Sequence, residues 1–168
     1  MNNNLTSVAI PNSVTTIGYD AFLNNNLTSV TFGNRIETIG GSAFRNNRLT
    51  EVHLPASVRS IFGRAFQNNS ITTLALPNNN RFDIDVHADD IFSDNPLTTL
   101  VIPPTMRQDI PFHFILGNSS STINTITIPA NAIDRIARSL PNNFAPFYIS
   151  QNRRAGTYSW DGRLWSVR

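Results

Sequence analysis

The side chains of this 168-residue chain best suited to moving a proton near neutral pH are His53, His87 and His113. They are far apart in the sequence, and no nucleophile elbow, phosphate loop or HExxH motif accompanies them. Asp89 and Asp90 are neighbours in sequence, not carboxylates facing across a cleft. The chain therefore reads as a non-enzyme that needs no cofactor. Asp83, Asp85, His87, Asp89 and Asp90, followed by Asp94, have an oxygen-rich spacing that could hold Ca²⁺. They lack the glycine and terminal glutamate of an EF-hand loop, and a solvated acidic loop or a helix N-terminus explains them equally. Cysteine is absent, which removes disulfides and thiolate-ligated zinc or iron from consideration.

A second chemistry is recognition. All thirteen basic residues are arginine, a side chain suited to bidentate and stacked contacts. They are scattered, the net charge is only +2, and nucleic-acid binding is not expected. Near the C-terminus Arg153, Arg154, Tyr158, Trp160, Arg163 and Trp165 have the composition of a protein-interface hot spot. Capping of a sheet explains the aromatics as well, with the arginines shielding its edge.

These residues sit on a periodic framework. Leu5-Thr6-Ser7-Val8 recurs at an even interval from Leu27, Leu49 and Ile71, then at a longer one from Leu97 and Ile123. In each copy the first, fourth and sixth residues are apolar, the pattern of a short strand with alternate side chains inward. Pro11, Pro55, Pro77, Pro103 and Pro129 end the strands, because proline cannot continue the ladder. Ala21-Phe22, Ala43-Phe44 and Ala65-Phe66 supply a small residue for close approach and a large one for the centre. Asn24-Asn25-Asn26, Asn46-Asn47 and Asn68-Asn69 form the return corner, since asparagine tolerates the left-handed conformation.

The apolar side chains of one such unit cannot offset the ordering of its backbone, so the units must stack. The expected architecture is a right-handed, β-rich solenoid of about six turns with short helical or 3-10 segments on its convex side. Residues 1–143 form the array and 144–168 a C-terminal strand and hairpin cap. In the two longer turns the extra residues fall in 78–90 and 104–114, and Ile91-Phe92 and Ile115-Leu116 replace Ala-Phe. The spacing of Ile133, Ile136, Ala137 and Leu140 predicts an amphipathic helix over 130–140, and Phe147-Tyr148-Ile149 a last strand. Asp161-Gly162 between alternating aromatics predicts a type I′ hairpin turn.

The unit L-T-x-V-x-I-P-x-x-V-x-x-I-G-x-x-A-F-x-N-N, fullest over residues 5–26, resembles the BspA-type leucine-rich repeat. The similarity is strong to about residue 77 and drifts beyond it, and Gly156 to Trp165 also resembles the C-terminal endings of such proteins. The resemblance implies a leucine-rich-repeat solenoid from a bacterial surface or secreted protein that binds host matrix proteins, host receptors or other microbes. It implies no catalytic residues. Met1-Asn2-Asn3-Asn4 does not read as a secretory signal, and no apolar run could span a bilayer.

On such a fold the outward strand positions line the concave face where partners dock. Here they include Thr28, Ser29, Thr31, Thr50, Glu51, His53, Thr72, Thr73, Thr98 and Thr99, and Glu51 with His53 interrupts the small hydroxylated row. Threonine is also an ordinary solvent-facing strand residue, and a flat threonine array leaves ice or crystalline polysaccharide as a distant alternative ligand. The expectation is a docking face for a protein partner. The alternative is the structural end of a longer array whose contacts lie upstream. Self-association through the uncapped first turn is a further expectation.

Overall fold

The structure, a computed structural model, describes residues 3–79, 81–84, 89–105, 123–128 and 154–168. Its repeating coil has two short strands. The first row holds β1 (Ser7–Ala9), β3 (Ser29–Thr31), β6 (Thr73–Ala75), β8 (Thr99–Val101) and β9 (Thr125–Ile128). The second holds β2 (Thr16–Ile17), β4 (Thr38–Ile39), β5 (Ser60–Ile61) and β7 (Asp83–Ile84). Neighbours in each row pair in parallel with equivalent residues opposite, as in Ser7↔Ser29, Leu74↔Leu100↔Ile126 and Ile17↔Ile39↔Ile61↔Ile84. The strands of the first row keep the phase that the sequence repeat assigns them.

The core follows the repeat. Leu49, Val52, Ile71, Leu74, Leu76, Leu97, Leu100, Ile102, Ile123, Ile126 and Ile128 are buried at the inward strand positions. Burying alternate residues of each short strand is what fixes its register. Phe22, Phe44, Phe66 and Phe92 stack along the axis with centroids 5.2, 5.2 and 5.0 Å apart and planes within 13°. Ala43 and Ala65 are fully buried beside them. Phe92 occupies the expected place, and the Phe66 amide donates to the Ile91 carbonyl as Phe44 does to Ala65. The added residues of the fourth coil divide around β7, since Asp83 lies one place further from Ile71 than its partner Ser60 lies from Leu49.

Beside the phenylalanine column runs one of asparagine. Asn47, Asn69 and Asn95 are 8% exposed. Each side-chain oxygen accepts from the backbone amide that opens its own coil, at Leu27, Leu49 and Ile71, at 3.0 Å. Each side-chain amide donates to the carbonyl of its own coil's Phe and to that of the coil before, as Asn69 does to Phe66 and Phe44, both at 3.0 Å. Asn25 accepts from Asn3 and Leu5 in the same manner. These asparagines complete the bonding of a buried corner that has no regular backbone partner.

The first strand row follows the six repeat starts, and about four turns carry the second row within the described residues, the second halves of the last two units lying largely outside them. Two expectations need correction. Among the described residues there is no helix or 3-10 segment on the far side of the coils. The residues after the second strand form single turns, with Asp20, Ser42, Arg64 and Asp90 at φ between 55° and 62°. That left-handed residue stops helical propagation after one turn. The hairpin tip is also not type I′. β10 (Gly156–Trp160) pairs antiparallel with β9 and with β11 (Trp165–Val167), and Trp160 faces Trp165. The turn is therefore centred on Gly162-Arg163, one position later than expected. Only Gly162, at φ 100°, has the positive φ that a type I′ turn requires twice. The expected helix over 130–140, the strand at 147–149 and the Ile115-Leu116 pair lie outside the described residues.

Candidate functional site

The expected docking residues emerge where strand alternation puts them. Thr28, Ser29, Thr31, Thr50, Glu51, His53, Thr72 and Thr73 are exposed, and Thr98 and Thr99 half-buried. Ser29 stands beside Ser7, and Thr99 between Thr73 and Thr125. Not every hydroxyl on this face is free. Thr28 donates to the Thr6 carbonyl at 3.2 Å and Thr98 to that of Thr72 at 3.3 Å, so these two help tie coil to coil. Ser29, Thr31, Thr50, Thr72 and Thr73 make no such side-chain bond among the described residues.

The face is not uniform. The first-row ladder stops at β3 and resumes at β6. Between them the third coil contributes a single bridge, His53 to Ala75. Among the described residues no strand pairing joins Thr50 to His53 with β3. Val52 is nonetheless 4% exposed, so the inward pattern continues through the break. Glu51 and His53 flank it outward, with Oε2 and Nε2 3.5 Å apart and side chains 70% and 84% exposed. Backbone groups released from the ladder thus lie beside one acidic and one imidazole side chain.

The other candidates separate. Asp83 belongs to β7, whereas the backbones of Asp89 and Asp90 build the following turn, accepting from the Arg64 and Ser93 amides. Asp94 accepts from the Gln67 side chain at 3.0 Å. Asp85 and His87 lie outside the described residues, as do His113 and Arg153. Among the described residues no group of three His, Cys, Asp or Glu could hold a metal ion. In the cap, Tyr158 and Trp165 are buried and Trp160 half-buried; the Tyr158 hydroxyl donates to the Arg154 carbonyl, and the Trp160 and Trp165 rings lie 5.5 Å apart. These aromatics pack the sheet's end, while Arg154 and Arg163 remain exposed.

Asp161 accepts from the Leu164 and Arg163 amides at 2.7 and 2.8 Å. Those two bonds, Leu164's the larger, hold its carboxyl below the ordinary value of 3.8. The folded hairpin therefore favours the carboxylate. The stability this adds is present above the ordinary pKa and is lost as the pH falls through the lowered one.

A feature not read from the sequence is a surface cavity of about 380 Å³ lined by Tyr19, Asp20, Gly41, Ser42, Gly63, Arg64 and Asp89. The signal was available in the glycines. Gly41 and Gly63 take the place in their coils that Tyr19 takes in the first, so the surface is cut back to the backbone there.

Parallel stacking of two-strand coils around a leucine, isoleucine and phenylalanine core, with an internal asparagine column, defines a leucine-rich-repeat solenoid. The model of the BspA type leucine rich repeat region matches residues 1–114 in six copies, and the chain belongs to that family. A solved leucine-rich repeat protein from Eubacterium ventriosum has the same fold: TM-score 0.55 and 20% identity, over 76% of this chain and 32% of that one. The chain thus spans about a third of that structure. No curated protein matches the sequence. Proteins of this family are generally surface-exposed or secreted, and their repeats generally serve as non-catalytic protein-interaction modules. Among the described residues no helix is long and apolar enough to cross a membrane.

Proposed function

We propose that this chain is a protein-binding module of a bacterial surface or secreted protein, and that it docks a host or microbial protein on its outward strand face around Thr50, Glu51 and His53. The observation that carries the reading is the interruption of the first-row ladder at the third coil. The break lies between two stacked coils, so a partner meets it through the outward side chains of Thr50, Glu51 and His53 and not through the backbone. Small hydroxylated residues on either side leave a broad, flat approach. Interface energy concentrates in a few residues surrounded by near-neutral contacts, and Glu51 with His53 fits that division.

The test is binding of the purified chain to immobilised fibronectin, fibrinogen and other host-surface proteins, beside a Thr28→Arg, His53→Ala double variant. Saturable binding that the double variant loses supports the reading. Saturable binding left intact by it removes the strand face as the docking surface. A second reading, in which this chain is the structural end of a longer array, is favoured by the greater length of the Eubacterium ventriosum structure, of which the match covers 32%. Absence of binding to every protein offered would favour it.

A further inference from the structure

The cavity on the turns after the second strand row is lined by two adjacent columns of the repeat. The first is Tyr19, Gly41, Gly63 and Asp89, and the second contributes Asp20, Ser42 and Arg64. The amides of Asp20, Ser42 and Arg64 donate to the carbonyls of Gly41, Gly63 and Asp89, which fixes the floor coil to coil. Over this floor Gly41 leaves room for an aromatic ring. A Cβ added there would stand 2.9 Å from Tyr19 Cε1. The Tyr19 ring leans across the gap to Phe62, with centroids 5.7 Å apart and planes tilted by 52°. It is still 67% exposed, a large aromatic surface held in place and turned to solvent.

Around that ring stand uncommitted polar groups. Among the described residues the side chains of Asp20, Ser42, Arg64 and Asp89 make no hydrogen bond or ion pair. Arg64 and Ser42 offer donors, Asp20 and Asp89 acceptors. This mixture discriminates among ligand classes. The arginine opposes a simple cation, and the two carboxylates oppose a simple anion. A hydroxyl, which donates and accepts at once, is suited to both kinds of group. An aromatic platform additionally asks for an apolar C–H surface. A pyranose sugar has hydroxyls around its rim and C–H bonds on its face, and the cavity is within the range of about 300 to 1,000 Å³ usual for small-ligand sites.

We propose that this trough binds a neutral pyranose, stacked on Tyr19 and hydrogen-bonded by Asp20, Ser42, Arg64 and Asp89. It is separate from the strand face and does not depend on the protein-docking reading. The first test is saturation-transfer NMR with the full chain and the methyl glycosides of glucose, galactose, mannose and N-acetylglucosamine. Saturation should concentrate on ring C–H protons of one sugar face, with a Kd on the order of 1 mM for the preferred glycoside. Tyr19→Ala should weaken binding at least about tenfold, whereas Tyr19→Phe, which keeps the ring, should stay within about threefold. Arg64→Gly replaces a residue at φ 61° with one that accepts that conformation, so it keeps the fold and should also weaken binding. Thr28→Arg on the strand face should change nothing. No saturation transfer from any of the four glycosides would overturn the proposal. So would equal binding by Tyr19→Ala and Arg64→Gly, or capture of arginine methyl ester in place of the sugars.

Discussion

The corner of each coil and its first strand are made by the same repeat, yet they are held to different standards. At the corner, phenylalanine stacks on phenylalanine from Phe22 to Phe92, and a buried asparagine donates to the phenylalanine carbonyl of the coil before. The pattern persists through the fourth coil, where the unit has lengthened. Along the first strand row, pairing lapses at the third coil although its length is the regular one. The stack is thus aligned from the corner, and the strand face can vary its side chains and drop ladder bonds without loss of register. A surface relieved of structural duty is available for recognition.

The contrast predicts where substitution is costly. Phe44, wholly buried between Phe22 and Phe66, should be the most sensitive position. Phe44→Ala is expected to cost about 3 to 5 kcal/mol, read as a lowered denaturation midpoint. A midpoint unchanged by it would break the picture of an axial stack. Next comes the asparagine column. Asn69→Leu removes bonds to the Leu49 amide and the Phe44 and Phe66 carbonyls, leaving buried backbone groups unpaired. A loss of roughly 2 to 4 kcal/mol is expected. If Asn69→Leu and Asn47→Leu are both neutral, the corner aligns nothing.

Most of the corner was legible in the sequence. Leu49, Ile71 and Leu97 announce the inward strand positions by period, and Phe22, Phe44 and Phe66 announce the axial column by their even recurrence. The asparagines were legible as a turn but not as a core element. Composition marks asparagine as a corner residue; only the coil-to-coil geometry shows that Asn47 reaches back to Leu27 and Phe22. The expected convex helices failed for a related reason. One residue per turn, Asp20 or its equivalents, takes a left-handed conformation, and neither serine at 42 nor arginine at 64 advertises that. Of the strand face, the outward positions followed from alternation. The break at Thr50 to His53 did not, because Glu51-Val52-His53 has the same pattern as Ser29-Val30-Thr31. The Tyr19 trough was hidden because it is formed by absent side chains at Gly41 and Gly63, which a search for reactive residues passes over.

Smaller effects sharpen the comparison. Arg64 has φ 61°, and its side chain makes no hydrogen bond or ion pair among the described residues, so its conformation costs energy that those contacts do not recover. Arg64→Gly should raise stability by about 1 kcal/mol, visible as a rise in melting temperature. A fall would mean that the guanidinium contributes to the stack in a way its geometry does not show.

The smallest expected change is the most informative about function. Glu51 and His53 face each other at 3.5 Å but are 70% and 84% exposed, and contacts between charged groups in that setting contribute about 0 to 1 kcal/mol. Each belongs to the coil whose strand is unpaired on the β3 side. Glu51→Gln and His53→Ala should therefore leave the denaturation midpoint within error of the parent chain. If either variant lowered stability by as much as Asn69→Leu, the third coil would be a structural joint and the division between corner and face would fail. If both are silent in stability and each weakens capture of a bound protein, then the residues at the break serve the partner and not the fold. Silence in both measurements would return the search to the other exposed positions of the row, Ser29, Thr31, Thr72 and Thr73, whose hydroxyls are likewise not bonded across the coils among the described residues.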